Sequence, residues 1–176
     1  MLEKKRILKY EIISTIFIIL LGALLHFTFK WSSSNPIIGT FSAVNESVWE
    51  HLKILFFPML ITTLVGQLYL KKYKPNYLAI KTQGILLALA FIVIFFYTYS
   101  GIIGNHYPLV DIISFVIAVL IEEIYTYKKL KTSTIKNNNL AIITLTLLSI
   151  SFIIFTFYTP QLGIFKDLST NTYGIK

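Results

Sequence analysis

Long apolar stretches alternate with short polar segments along the whole chain. Predominantly apolar residues, bounded by charged or turn-forming residues, occupy five ranges: 10–29, 54–70, 79–99, 109–127 and 140–159. A transmembrane α-helix needs about 20 such residues, because the hydrocarbon layer of a bilayer is about 30 Å thick. The pattern therefore predicts an all-α, polytopic bundle of five transmembrane helices, forming a single integral membrane domain over residues 1–176.

The composition agrees with a membrane protein and argues against a soluble domain. Hydrophobic residues make up 55% of the 176 residues, whereas charged residues make up only 14%. So large an apolar share supplies several spans and leaves little chain for a soluble enzyme domain. The chain contains no cysteine, which excludes disulfides, iron–sulfur clusters, thiolate zinc sites and cysteine nucleophiles. Oxygen and imidazole chemistry is what remains.

The basic residues indicate how the chain crosses the membrane. The net charge is +8, but lysine and arginine occur in short groups between the apolar stretches, which is not typical of a nucleic-acid-binding patch. When the predicted spans alternate in direction, one side receives twelve of the sixteen basic residues, within the ranges 4–9, 71–81 and 128–136. Short loops rich in lysine stay in the cytoplasm. We therefore expect a multi-pass protein of the cell membrane, with its amino terminus inside and its carboxyl terminus outside.

The segment 41–53, just before the second predicted span, has the most unusual chemistry. Ser47 and Glu50 fit the S-x-x-E capping box of a helix start. Capping leaves Glu46 unexplained, because it precedes Glu50 by four residues, and like charges at that spacing repel each other unless a cation intervenes. Ser47 and His51 form a second pair at the same spacing. One helical turn thus offers two carboxylates, a hydroxyl and an imidazole, a set suited to ligand binding or proton transfer.

The three histidines are all expected near the outer face. His26 lies one turn before the end of the first span, His51 at the start of the second, and His106 just before the fourth. Asp111 follows His106, where its acid also suits the first turn of a helix. Imidazole and carboxylate are the zinc ligands that a cysteine-free chain can offer. The predicted ligands of a divalent metal such as zinc are His26, His51, His106 and Asp111; the alternative is that each is an ordinary residue at a loop edge.

A resemblance to known families rests on the run NESVWEHLK at 45–53. Together with five spans, this run resembles an uncharacterised family of small bacterial polytopic membrane proteins, a resemblance that covers nearly the whole chain and implies no activity. The run is also similar to helix starts of the progestin and adipoQ receptor and alkaline ceramidase group, where the serine or threonine and the histidine belong to a zinc amidohydrolase site. This chain departs from that group in having a spacing shorter by two residues, five predicted spans rather than seven, and no late H-x-x-x-H motif.

These patterns predict a polar pocket at the outer face, for which three functions stay open. The first is a divalent-metal-assisted hydrolase of a lipid-like substrate, in which Glu46 or Glu50 acts as general base and Ser47 orients the ligand or water. The second is a non-catalytic binding or regulatory subunit of the membrane. The third is a small permease, which the lack of an internal repeat disfavours. Beyond the bilayer, the metal and the substrate, we expect no cofactor and no nucleic acid, and the sequence leaves the oligomeric state open.

Overall fold

The chain folds into helices joined by short connections. A computed structural model describes residues 2–72, 74–132 and 138–175. In these ranges lie α1 (Leu2–Trp31), α2 (Pro36–Gly39), α3 (Val48–Leu70), α4 (Tyr77–Ile103), α5 (Pro108–Thr132), α6 (Asn139–Phe157) and a 3₁₀ helix at Gly163–Phe165. The described part has no β-strand, only one isolated bridge between Lys166 and Tyr173. The all-α prediction is therefore confirmed for this part of the chain.

Four of the helices are long and apolar enough to cross a membrane, namely α1, α3, α4 and α6. They contain three of the five predicted spans in full and a fourth, 140–159, up to Phe157, so the chain has the helices of a membrane protein. The remaining predicted span falls in α5, which has 25 residues but also contains Asp111, Glu122 and Glu123. These three acids lie within the apolar stretch of α5, which sets it apart from α1, α3, α4 and α6, and a fifth crossing stays a prediction.

The helices extend beyond the apolar stretches because their ends carry local signals. α3 begins at Val48, six residues before the predicted span, since Ser47 caps it. α4 ends before Gly104, whose φ of +79° lies in the left-handed region that glycine adopts without a Cβ clash. These signals add a turn or more of helix to the membrane-spanning part.

Four of the long helices pack as a ring, and the fifth long helix packs against two of them. α1, α3, α4 and α5 each contact the next, α5 returns to α1, and α6 packs against α3 and α4. The centre is filled by apolar side chains, among them Ile18, Leu55, Phe56, Met59, Ile85, Ala88 and Val119. Many large apolar side chains instead face outward, including Ile13, Leu20, Leu64, Ile94 and Ile143. An exposed apolar surface of this extent is expected for helices that face lipid.

Lys81 differs from the other basic residues of the predicted cytoplasmic side. It lies inside α4 and its side chain is completely buried, so it does not belong to a loop. Its partners include Glu122 and Glu123, which lie on the inward face of α5, where a buried charge requires a partner.

Candidate functional site

The start of α3 is held by two side chains of the preceding turn. Ser47 is the N-cap residue, and its Oγ accepts a hydrogen bond from the Glu50 amide at 3.3 Å. Asn45 Oδ1 accepts from the Ser47 amide at 2.9 Å, and Asn45 Nδ2 donates to the Gly174 carbonyl at 3.0 Å. Ser47 is only 1% exposed and does not line the cavity described below. Its hydroxyl therefore caps the helix. It is not placed to orient a ligand, which was the role predicted from the sequence.

Glu50 forms a buried ion pair and serves the fold. Its Oε2 lies 2.5 Å from Lys53 Nζ and accepts a hydrogen bond from the Val44 amide at 3.0 Å, while its Oε1 accepts from Thr156 Oγ1 at 3.0 Å. Lys53 Nζ also donates to the Gly39 carbonyl at 2.7 Å. These contacts join α3 to α2 and α6. Because its carboxylate is occupied in the interior, Glu50 is not brought to the site for which it was predicted as a base.

Glu46 lies between two of the histidines. Its Oε2 is 3.6 Å from His26 Nε2 and 3.7 Å from His51 Nε2, and the three potential ligand atoms lie within 4.8 Å of one another. A zinc ligand bond is about 2.0–2.1 Å long, so ligand atoms around one ion lie about 3–3.5 Å apart. The side chains are 27% to 32% exposed and free to make this small adjustment. α1, the turn before α3 and α3 itself thus each supply one side chain to a group that could hold a divalent metal.

A hydrogen bond orients the His51 ring toward this group. His51 Nδ1 lies 2.8 Å from the Ser47 carbonyl oxygen. A carbonyl only accepts, so Nδ1 carries the hydrogen, and in the neutral ring Nε2 keeps its lone pair for a ligand. Metal-binding histidines generally have such a bond at the second nitrogen. His51 is therefore prepared to bind through Nε2, the atom that faces Glu46.

Glu46, in the turn before α3, and Glu50, in the first turn of α3, pair with different cations, which offsets the repulsion expected between two nearby carboxylates. Glu50 pairs with buried Lys53, whereas Glu46 Oε1 lies 3.5 Å from Nζ of Lys30, whose side chain is 68% exposed. An ion pair at that exposure contributes little to stability. Glu50 is thus held in the fold by its ion pair, whereas Glu46 remains available to bind a ligand.

His106 and Asp111 form a second polar group. His106 Nδ1 lies 3.1 Å from Asp111 Oδ2, and the Tyr99 hydroxyl donates to Asp111 Oδ1. The same hydroxyl oxygen accepts a hydrogen bond from the Tyr107 amide at 3.2 Å. Neither His106 nor Asp111 belongs to the three-ligand group found among the described residues. Of the four predicted metal ligands, the structure thus joins His26 and His51 to Glu46 and pairs His106 with Asp111.

One cavity of about 490 Å³ is lined by both polar groups. The rest of its wall is mostly apolar and comes from α1, α3 and α5, through Ile19, Ala23, Phe27, Ile54, Ile112, Phe115 and Val116. A largely apolar cavity with a few convergent polar side chains is the usual form of a small-molecule site. All three histidines, Glu46 and Asp111 therefore share one cavity, while metal binding itself stays a prediction.

The comparison with known proteins concerns the family of the chain. The profile of one protein family matches residues 2–175. The chain belongs to this family of unknown function, DUF6512. The expected membership of an uncharacterised family over nearly the whole chain is thereby confirmed. No curated protein and no solved structure matches the chain, and the similarity to the receptor and ceramidase group stays a prediction.

The carboxyl-terminal segment is a part of the site that sequence reasoning missed. Leu168 and Ser169 line the cavity, and a turn at Asp167 positions them. Asp167 Oδ1 accepts from the Ser169 amide at 2.8 Å, from Ser169 Oγ at 2.7 Å and from the Thr170 amide at 3.3 Å. Partial burial opposes ionisation, but these hydrogen bonds outweigh it and hold the pKa of Asp167 below its usual range. The sequence carries a signal for this turn, because an aspartate followed by serine and threonine is typical of one.

Proposed function

We propose that the protein is a divalent-metal-dependent hydrolase that acts on a lipid-like substrate within the membrane. The observation that supports this most is the placement of His26, Glu46 and His51 at the wall of an apolar cavity. Two imidazoles and one carboxylate form the ligand set of several zinc hydrolases, which leave the fourth position to water. In this proposal Glu46 is a metal ligand and not the general base.

The chemistry follows from the two polar groups of the cavity. His26, His51 and Glu46 would hold the metal ion, which would lower the pKa of a bound water and polarise a substrate carbonyl. In the hydrolysis the oxygen of that water would join the carbonyl carbon, the bond to the leaving oxygen or nitrogen would break, and the proton lost by the water would pass to the leaving group. His106, which is oriented by Asp111, is the proposed donor of that proton, since its ring lines the same cavity.

The cavity wall supports a substrate with an acyl chain. Ile19, Phe27 and Phe115 are among the apolar side chains beside the polar groups. A chain of methylene groups gains about 0.8 kcal/mol for each group that it buries in such surroundings. The proposed substrate therefore carries a hydrolysable amide or ester next to its acyl chain.

We further propose that α5 is a fifth crossing, with the amino terminus inside and the pocket at the outer face. Twenty-five helical residues extend about 37 Å at about 1.5 Å per residue, enough to cross a bilayer. Glu122 and Glu123 are buried among the other helices, so the outward face of α5 is apolar. That face carries Ile112, Ile113, Ile117, Leu120 and Ile124.

A binding or regulatory subunit without catalytic activity is the second candidate. The contact of Lys30 with Glu46 favours it, because the lysine can balance the carboxylate without a metal. The capped turn before α3 would then serve to dock a partner at the outer face. The two candidates differ in whether the purified protein requires a metal.

The metal content of the purified protein distinguishes the two candidate functions. We expect one zinc ion per chain after reconstitution with zinc, and chelator-sensitive release of fatty acid from a panel of lipid amides and esters. Glu46→Gln and His51→Ala should lose the zinc, whereas Glu3→Gln, which changes an exposed acid paired with Lys74, should keep it. His106→Asn should keep the zinc and lose the activity. A wild-type protein that binds no zinc and is not stabilised by it would leave the subunit as the better function.

A further inference from the structure

Four charged side chains meet in the interior of the bundle, apart from the cavity. Lys81 Nζ of α4 lies 2.9 Å from Glu11 Oε2 of α1, and 2.9 Å and 3.0 Å from Glu122 Oε1 and Glu123 Oε1 of α5. None of the four side chains is more than 5% exposed. A single ammonium group therefore joins three carboxyl groups from two other helices.

The charges of this buried cluster, formed by Lys81, Glu11, Glu122 and Glu123, do not balance. Three ionised carboxylates and one ammonium leave a net charge of −2. Uncompensated charge in the membrane interior is costly, and Coulomb repulsion between carboxylates adds to that cost. The phenols of Tyr10 and Tyr77 also lie near the cluster, and they supply no positive charge. Protons are the simplest means of reducing the excess.

The hydrogen bonds within the buried cluster indicate which carboxyl groups hold these protons. Glu122 is bound at both oxygens by Lys81, at 2.9 Å and 3.0 Å, and its Oε1 accepts from Thr126 Oγ1 at 3.0 Å. Apart from their contacts with Lys81, the oxygens of Glu11 and Glu123 receive no hydrogen bond from a described residue. Glu11 Oε2 and Glu123 Oε1 flank the same ammonium group, at 2.9 Å and 3.0 Å from Lys81 Nζ, so the two carboxyl groups are close neighbours. Two carboxylates repel at such a distance, whereas a carboxylic acid donates to a carboxylate.

We propose that Glu11 and Glu123 form a proton-binding site, in which the two carboxyl groups share one proton at neutral pH. Glu122 is the ionised partner of Lys81, and this ion pair positions the site between α1, α4 and α5. The ligand is a proton, exchanged with bulk water. The proposal is independent of the metal-dependent hydrolase, because it concerns other residues.

Infrared spectroscopy of the purified protein tests this site, in a detergent that has no ester carbonyl. At pH 7 the wild type should show the C=O stretch of a protonated carboxylic acid, with a shift in D₂O. Glu11→Gln and Glu123→Gln should each abolish the band, because the glutamine amide donates to the remaining carboxylate in place of the proton. Glu122→Gln should keep it, since Glu11 and Glu123 still flank Lys81 and receive no new hydrogen-bond donor.

Three results would overturn the proposal: a wild-type spectrum without the band, a band that survives both Glu11→Gln and Glu123→Gln, or a band abolished by Glu122→Gln. The wild-type spectrum is decisive by itself, so the test does not depend on the folding of any variant. Gel filtration and the helical circular dichroism signal identify the variants that fold.

Discussion

The ionisable groups at the cavity and in the buried cluster are built in opposite ways. Around Glu46, the nearest cationic or imidazole nitrogens lie 3.5–3.7 Å away, and the Glu46 side chain is 32% exposed. Around Lys81, four carboxyl oxygens of three glutamates lie 2.9–3.0 Å away, and the Lys81 side chain is 0% exposed. Long contacts with partial exposure leave room for a ligand, whereas short contacts without exposure leave room only for a proton.

The difference follows from the cost of burying charge. A buried ion is stable only when its partners and hydrogen bonds replace the lost water, so the carboxyl groups of the cluster close around Lys81. At the half-exposed cavity, water still solvates Glu46, and loose contacts cost little. The same types of side chain therefore serve as structure in one region and as a candidate ligand set in the other.

The largest expected effect concerns which end of the bundle faces outward. Single cysteines at Ser33 and Thr170, near the cavity, should react completely with an impermeant maleimide in intact cells, because we place that end outside. A cysteine at Lys72, an exposed residue of the lysine-rich end, should react only after the membrane is opened. Labelling of the Lys72 position alone in intact cells would reverse the proposed orientation.

Removal of the central ammonium should have the next largest effect. Lys81→Met leaves the buried carboxyl groups without their cation and should lower the free energy of unfolding by about 3–5 kcal/mol. The matched control is Lys74→Met, which removes a partly exposed pair with Glu3 at 3.1 Å and should cost about 0–1 kcal/mol. Chemical unfolding in detergent micelles, followed by circular dichroism, measures both. Equal losses of unfolding free energy in the two variants would mean that Lys81 stabilises the fold no more than a surface ion pair does.

The smallest effects distinguish Glu46, in the turn before α3, from Glu50, in the first turn of α3. Glu50→Gln removes a charge-assisted hydrogen bond to buried Lys53 and should cost about 1.5–3 kcal/mol. Glu46→Gln should change stability by less than about 0.5 kcal/mol, because that side chain is half-exposed and loosely paired. The same unfolding measurement applies. A Glu46 variant that is as unstable as the Glu50 variant would show that both acids serve the fold.

Much of the fold could be predicted from the pattern of apolar residues, and part of the site from its motifs. The apolar stretches marked α1, α3, α4 and α6, since a run long enough to cross a bilayer has few other uses. The S-x-x-E pattern correctly placed the cap at Ser47. The placement of the three histidines around one cavity also agrees with the end of the bundle to which the alternating spans assigned them.

The partners of the ionisable residues could not be predicted. Glu46 and Glu50 are equivalent by type and nearly so by position, yet one meets two histidines and the other a buried lysine. Their spacing of four residues suggests one helical turn, but Glu46 precedes the cap at Ser47 whereas Glu50 lies inside α3, and the spacing does not say which neighbouring helix each side chain meets. Lys81 illustrates the same limit, because its place near a lysine-rich loop resembles a topology signal.

The sequence by itself determined the class of the protein, through the length and apolarity of its helices, and it determined the chemistry available to a cysteine-free chain. Only the tertiary structure decided which ionisable groups are buried together and which line a cavity. The physical reason is that apolar burial is non-directional and depends mainly on composition, whereas an ion pair or a metal site depends on distances of a few ångströms between atoms. Those distances depend on how each helix is rotated against its neighbours, which packing of the whole bundle decides.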